Sequence, residues 1–435
     1  TNKEATLTLT TSLDSSPADK AAITFTNRTS NIEGLRHVYD SASKTGSTLA
    51  WRESTLWSSI GGAWTNESAP SYGTVLVNGG SQTGTSLIVD GVGSDTYVPH
   101  VGDTFSIAGV EKVYTVLSVP TITSGGGTLS IYPTLASSPA NDAAMTFLSV
   151  DMSGGTKCRF ASFNFDGTER VAMVDGSNYP VSWNSSEGLT VLDGSTDILG
   201  SASVRSFKNH MFFGNGSNLV FSAPFAQNDY TAANGAGILR LPFDITGLIV
   251  FREKMIIFTQ SSIHQLSGNT AADFAMSDIS DDLGCSEPDT IQEVGGDIMF
   301  MGPDGLRLLG ATARIGDFSL GLASRQIQDE LTDFVTGFTN LTSLVIRGKS
   351  QYRILGYTAG TLDSVTDGFI GTQFTDQEAA GFSWGKTTGI KAYRATSIIT
   401  GSTEVTQFSG ETGYVYTLDS GNDFDGTTIS AFYYT

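Results

Sequence analysis

The chain has 435 residues, 50 of them Gly, with 44 Asp+Glu against 24 Lys+Arg and a formal net charge of −20. About a quarter is Ser or Thr, 39% is hydrophobic, and 25 Phe, 14 Tyr and 5 Trp are ample for a packed core. The aromatics exclude a disordered chain, the shortage of helix formers excludes a helical bundle, and the aperiodic glycines exclude collagen. The acidic balance excludes a chain that grips DNA through non-specific charge.

The Thr-rich N-terminal stretch lacks the apolar centre of a signal peptide. No run of about 20 apolar residues occurs; the nearest, around Leu248–Phe258, is broken by Arg252, Glu253 and Lys254. Short apolar runs separated by Gly, Asn, Asp and Ser recur, which is the pattern of strands and tight turns. The first unit is LAWRESTLWSS. From about Gly73 to Phe147 come TSLIVDG, VGDTFSIAG, KVYTVLSV and GTLSIYPTL, each bounded by Gly, Asp or Pro, which predict a small self-contained β-barrel. Strand–turn–strand units then follow as RFASFNFDGTERVAMV, HMFFGNGSNLVFSA, LIVFREKMIIFTQSSIHQLSG, DIMFMGPDGLRLLGA, SLVIRGKSQYRILGY and EVTQFSGETGYVYTL. Asp166-Gly167, Asn215-Gly216 and Asp304-Gly305 are dipeptides that accept positive φ in two-residue hairpins.

The first apolar residue after each turn is Leu56, Val171, Leu219, Ile263, Leu306, Tyr352 and Tyr414. From Val171 to Tyr352 the steps are about 43 to 48 residues, the length of a four-stranded propeller blade. An inserted barrel accounts for the long first step, and the longer last step predicts an extended loop. The expected fold is all-β: a β-propeller of six or seven blades with a small inserted β-barrel. Residues 1–72 hold the N-terminal segment and first blade or blades, 73–148 the barrel in an early inter-strand loop, and 149–435 the remaining blades. A helix is expected in SRQIQDELTDFV, with Ile327, Leu331 and Phe334 on one face and Ser324 as its N-cap.

Few residues invite a chemical role. Cys158 and Cys285 are too few for a disulfide scaffold and read as buried, reduced thiols. AGFSWGKT (Ala380–Thr387) fits a loose phosphate-loop pattern, and Gly381–Gly385 within it fits a nucleophile elbow. Both motifs need a strand–turn–helix, yet Phe382 and Trp384 crowd the loop and β-branched residues follow, so a structural turn is expected. His37, His100, His210 and His264 stand singly, without metal-ligand spacing. Asp278, Asp281 and Asp282 form one acidic cluster. Asp419, Asn422, Asp423 and Asp425 form another, whose close-set oxygens suit calcium but which lacks a bidentate Glu, so a solvated turn is expected. No spacing singles out a glycosidase carboxylate pair. No catalytic, cofactor-binding or metal residue is assigned, no cofactor is expected, and the chain does not read as an enzyme.

The runs RSFKNHMFFGNGSNLVFSAPF (205–225), FDITGLIVFREKMIIFTQSSIHQLSG (243–268) and LGCSEPDTIQEVGGDIMFMGPDGLRLLGA (283–311) carry a family resemblance. In the order of these segments, over Val204–Val335, the chain resembles the β-propeller tail nozzle (tail tubular) and tail hub (packaged-DNA-stabilisation) proteins of short-tailed bacteriophages. Independently, VGDTFSIAGVEKVYTVLSV with GTLSIYPTL resembles the small β-barrel insertions of phage structural proteins. The resemblance implies a structural component of the virion tail, present in the host cytoplasm during assembly. It implies a homohexameric ring that attaches to adaptor or portal proteins, carries fibres or spikes and surrounds the DNA exit channel. Such a ring retains packaged DNA and passes it on ejection without sequence-specific binding. An acidic lumen would let DNA slide, because phosphates meet like charge. The alternative is a receptor- or carbohydrate-binding propeller module of a virion, with Trp51, Trp57, Trp64 and Tyr97 available to stack on sugars. A propeller glycosidase is a third reading.

Overall fold

The computed structural model describes residues 32–40, 45–52, 55–59, 64–67, 75–92, 99, 103–118, 122–149, 157–185, 188–310, 322–358, 367–374, 381–400, 403–410, 413–419, 423–424 and 427–428. Seven antiparallel sheets follow one another as blades one to seven, over residues 32–66, 159–191, 203–240, 245–280, 292–308, 340–388 and 394–417. Among the described residues, blades five and seven have three strands and the others four. Every blade is a meander, so each is built from one continuous segment. The first strands are Ile32–Asp40, Arg159–Asn164, Ser203–Phe207, Ile245–Phe251, Gln292–Val294, Asn340–Ile346 and Arg394–Thr400. They surround a central tunnel, and those of blades one and seven are neighbours, which closes the ring.

Burial explains why the sequence shows apolar runs rather than clean alternation. A blade packed between two others buries both faces: every residue of NLTSLVI in blade six is buried, as are six of QYRILGY. The core lies in the seams between blades. Phe212 and Phe221 meet Leu248 and Ile257 between blades three and four. Phe258 meets Phe300 at a centroid distance of 5.0 Å between blades four and five.

The closed barrel has six strands: Val75–Val77, Ser86–Asp90, Thr104–Ile107, Val110–Ser118, Gly127–Tyr132 and Ala144–Ser149. Leu87 and Val89, Phe105 and Ile107, Tyr114 and Val116, and Leu129 and Ile131 alternate inward and are buried. The barrel lies between the last strand of blade one and the first strand of blade two. It is thus a connection between blades and not a loop within one. A single apolar cluster runs from Trp51 and Leu56 of blade one through the barrel to Trp183 and Val191 of blade two.

The seven anchors fall one to a blade, but they are not equivalent positions. Leu56, Leu219, Ile263 and Leu306 lie in third strands, whereas Val171 and Tyr352 lie in second strands. Tyr414 precedes the third strand of blade seven. The long last step therefore contains an additional strand; 359–366 and 375–380, where the expected extended loop could fall, lie outside the described residues. Two turns are shifted by one residue: Asn215 pairs with Asn218 and Gly302 with Gly305, so Gly216-Ser217 and Pro303-Asp304 form the turns. The stretch Gly381–Thr388 is the fourth strand of blade six, neither a phosphate loop nor the expected turn. Its Trp384 gives Nε1–H to the Ala323 carbonyl at 2.8 Å.

A 3-10 turn, Arg325–Ile327, leads into the α-helix Gln328–Gly337, and Ile327, Leu331 and Phe334 are buried as their spacing predicts. Ser324 makes no capping bond; its Oγ accepts from the Leu306 N–H at 3.0 Å, tying the helix start to blade five. Gly34 marks the tightest approach of blade one to blade two, because a Cβ there would lie 2.7 Å from Cys158 Cβ and 2.8 Å from the Phe160 ring. Gly34→Val is expected to overpack this seam and cost about 1–3 kcal/mol, read as a lower denaturant midpoint with an unchanged slope.

Candidate functional site

The convergence of the first strands creates the most distinctive site in the molecule. The tunnel holds a cavity of ≈ 180 Å³ whose wall includes Arg36, Arg159, Arg205, Arg347, Arg394 and Asp289. Arg36, Arg159, Arg205 and Arg394 sit on the first strands of blades one, two, three and seven. Asp289 comes from the 3-10 turn Pro288–Thr290 that enters blade five, where Pro288 supplies a φ suited to the first position.

Asp289 is the counter-charge of one side of the tunnel. Arg159 gives Nε–H to Oδ1 at 3.0 Å and Nη2–H to Oδ2 at 3.1 Å, a bidentate pair. Lys157 Nζ reaches Oδ2 at 2.8 Å and Arg394 Nη1 reaches it at 2.9 Å. Burial pushes the Asp289 carboxyl up, but Arg394, Arg159 and Lys157 outweigh it and hold the group well below the usual carboxylate range. The same cations bond to backbone: Arg159 Nη1 to the Ala202 carbonyl at 3.0 Å, and Arg394 Nε to the Glu33 carbonyl at 2.8 Å. Ser343 of blade six donates to the Asp289 carbonyl at 2.6 Å. The carboxylate of Asp289 thus joins blades two and seven at the entrance to blade five, and its cations and its own backbone carbonyl extend the network to blades one, three and six.

The other side of the tunnel is not matched in this way. Burial lowers the Arg205 pKa to about 10, with Arg36 and Arg159 adding repulsion. Arg205 Nη1 donates to the carbonyls of Val204 at 2.8 Å and Phe160 at 3.3 Å. Burial also lowers Arg36, Arg347 lowers it further, and Glu169 opposes both. The wall of this tunnel within one propeller is arginine-rich, and it is distinct from the lumen of the expected ring. A cavity of this size admits a small ion with a few waters, not a strand of DNA.

The histidines are built into the packing. His210 Nδ1 lies 2.6 Å from the Ser222 carbonyl, against the rings of Phe212, Phe221 and Phe274. His37 Nδ1 lies 3.0 Å from Thr48 Oγ1, which donates to Gln407 of blade seven at 2.8 Å. His100 lies outside the described residues. His264 belongs to a relay that sequence spacing did not single out: Ser262 Oγ lies 2.7 Å from Nε2, and Asp278 Oδ1 lies 2.6 Å from Nδ1. The connectivity is that of a hydrolase triad. Ser262 is only 2% exposed, however, and its Oγ also lies 2.8 Å from Thr259 Oγ1. A nucleophile needs access to its substrate, so this relay holds the third strand of blade four to its second and fourth strands. The i, i+2 spacing of Ser262, just before the strand Ile263–Ser267, and His264 within it is the signal for it.

Both thiols are buried and pushed up, Cys285 to about 12, which leaves them unreactive. Asp419 is engaged by Arg353 Nη1 at 2.8 Å and Nη2 at 2.7 Å and by Lys349 Nζ at 2.6 Å. Asn422 and Asp425 lie outside the described residues. Asp423 is described only by its backbone, in a short hairpin strand. Among the described residues no group of His, Cys, Asp and Glu is placed to hold a metal, and no helix is long and apolar enough to cross a membrane. Of the aromatics named for sugar stacking, Trp51 is buried, Trp57 half-buried and Trp64 exposed, and Tyr97 lies outside the described residues.

Residues 70–150 match the family model for the B domain of the distal tail protein pb9. The matched span is the barrel. The match likens this segment to a structural domain of a phage tail. No curated protein matches the chain. Among solved structures, the computationally designed Ika8 protein is similar at a TM-score of 0.39 and 10% identity over 90% of this chain and 97% of that one. Hsv2 of Kluyveromyces lactis is similar at 0.35 and 8% over 82% and 99%. A quinonprotein alcohol dehydrogenase-like protein of Bacteroides thetaiotaomicron is similar at 0.30 and 8% over 79% and 83%. At these scores none bears on function.

Asp289→Asn is expected to cost about 3–5 kcal/mol at neutral pH, because it leaves three crowded cations without their carboxylate. A carboxyl whose pKa is depressed by folding stabilises above its unfolded value of about 3.9 and loses that contribution as pH falls through its folded value. Urea unfolding is therefore expected to show the gap between the two proteins closing at pH values well below 3.9. Ser262→Ala is expected to cost about 1–3 kcal/mol by leaving buried partners unsatisfied, measured the same way.

Proposed function

We propose that this chain is a ring-forming nozzle or hub of a bacteriophage tail. In this reading a homohexamer surrounds the DNA exit channel, attaches to adaptor or portal proteins above and supports fibres or spikes. The observation that carries the reading is the match of the barrel to a distal tail protein domain. The architecture supports it: a closed propeller leaves only short edges exposed and makes a rigid building block for a ring.

In this reading the blades within 32–66 and 159–417 form the propeller body, and the strands within 75–149 form the barrel between blades one and two. The barrel's outer wall exposes Val113, Leu117 and Tyr132. Tyr132 lies opposite Thr115, between the other two, so the three form a patch that a neighbouring tail chain would cover. DNA passes through the lumen of the ring of subunits and not through the tunnel within each propeller. A chain carrying −20 repels phosphate from such a lumen, so the ring retains the genome by geometry and releases it without gripping it.

Electron microscopy of the purified chain is expected to show six-fold rings, and antibody to the barrel is expected to label the tail tip of virions. Monomers at high concentration, together with unlabelled tails, would rule the reading out.

A further inference from the structure

We propose that Arg36 and Arg205, with Arg347 at the edge of the cavity, form a binding site within each propeller for one small oxyanion of the phosphate class. Three observations converge on it. The first is the cavity of ≈ 180 Å³, several times the roughly 30 Å³ of a water molecule, lined by five guanidinium groups.

The second is the distribution of charge. Asp289 is hydrogen-bonded to Lys157, Arg159 and Arg394, so the tunnel's buried carboxylate is spent on one side. Arg205 donates to carbonyls, which satisfy hydrogen bonds without cancelling its charge. The other carboxylates near the tunnel do not restore the balance. Glu169 attracts Arg36 but ranks behind both burial and Arg347 in its effect. Glu287 is raised by its own burial, which favours its neutral form. Glu404 accepts from the backbone N–H groups of Arg347 and Gly348, at 2.7 and 2.8 Å.

The third is a pair of orphaned donors. Arg36 Nε and Arg394 Nη2 are buried with no hydrogen-bond partner among the described residues. Buried N–H groups of a charged side chain demand an acceptor. A chloride ion would offset charge from one point. A tetrahedral oxyanion presents several oxygens at once, and the planar fork of Arg is shaped to meet them from different strands. This site belongs to the single propeller and stands whether or not the chain assembles into a ring.

The test is calorimetric titration of inorganic phosphate into the full chain at constant ionic strength, with thermal melting in phosphate and in matched chloride. One phosphate per chain is expected, with a melting midpoint raised by phosphate and not by chloride, and with sulfate competing. Arg36→Met and Arg205→Met are each expected to weaken binding by at least about tenfold. Arg240→Gln, on the exposed outer strand of blade three, is expected to bind as the parent does. Melting of each variant in chloride reports its folding, so lost affinity in a folded variant is specific to the site. Absence of saturable heat, equal stabilisation by chloride, or unchanged affinity in folded Arg36→Met and Arg205→Met would overturn the proposal.

Discussion

Closure of the ring depends on a buried carboxylate shared by three cations. Each blade is a continuous segment, and among the described residues no sheet contains strands from both ends of the propeller. Among the described residues, side chains join the last blade to the first. Arg394 does so from the inside, bonding both the Glu33 carbonyl of blade one and Asp289. Ser409 of blade seven adds a bond to the Ile32 carbonyl at 3.3 Å, and Gln407 accepts from Thr48 at 2.8 Å. A buried ion pair is seldom a net gain over apolar packing, because desolvation offsets the attraction. What it supplies is geometry: Asp289 is satisfied only when blades two, five and seven hold their places together.

The rim nearest the turns between first and second strands shows a weaker version of the same design. Lys208-Asn209, Arg252-Glu253 and Gly295-Gly296 all have positive φ and close two-residue turns in blades three, four and five. These turns touch in sequence around the ring: Lys208 pairs with Glu253, and Arg252 Nη2 donates to the Gly296 carbonyl at 2.7 Å. Such exposed contacts contribute little energy, since water competes for both partners. They do fix the angle between successive blades at a place where the apolar seams have ended.

The fold was legible because its determinants are local. Turn dipeptides and apolar runs recur at blade length, and the barrel interrupts them with shorter, evenly bounded strands. The register within each blade was less legible, since Val171 and Tyr352 have the same local pattern as third-strand residues but sit in second strands. The tunnel was invisible to spacing because Arg36, Asp289 and Arg394 meet only through ring closure. One signal was present. Arg36, Arg159, Arg205 and Arg394 each lie in the first strand of a blade, the strand that faces the axis.

Those arginines also change the meaning of the net charge. The chain has only 24 Lys+Arg against 44 Asp+Glu, and five of its arginines line an internal cavity. Cations committed to the axis are withheld from the outside, so the outer surfaces are more acidic than the composition alone implies. An anion in the tunnel would offset part of the positive charge at the axis and leave that outer excess in place. In a ring of such subunits the lumen is made from outer surfaces, where phosphate meets repulsion, while the positive charge that could bind it is enclosed within each propeller. In the proposed ring, rigidity and weak attraction for phosphate would have one origin: the arginines that fasten the blades are the ones enclosed within each propeller.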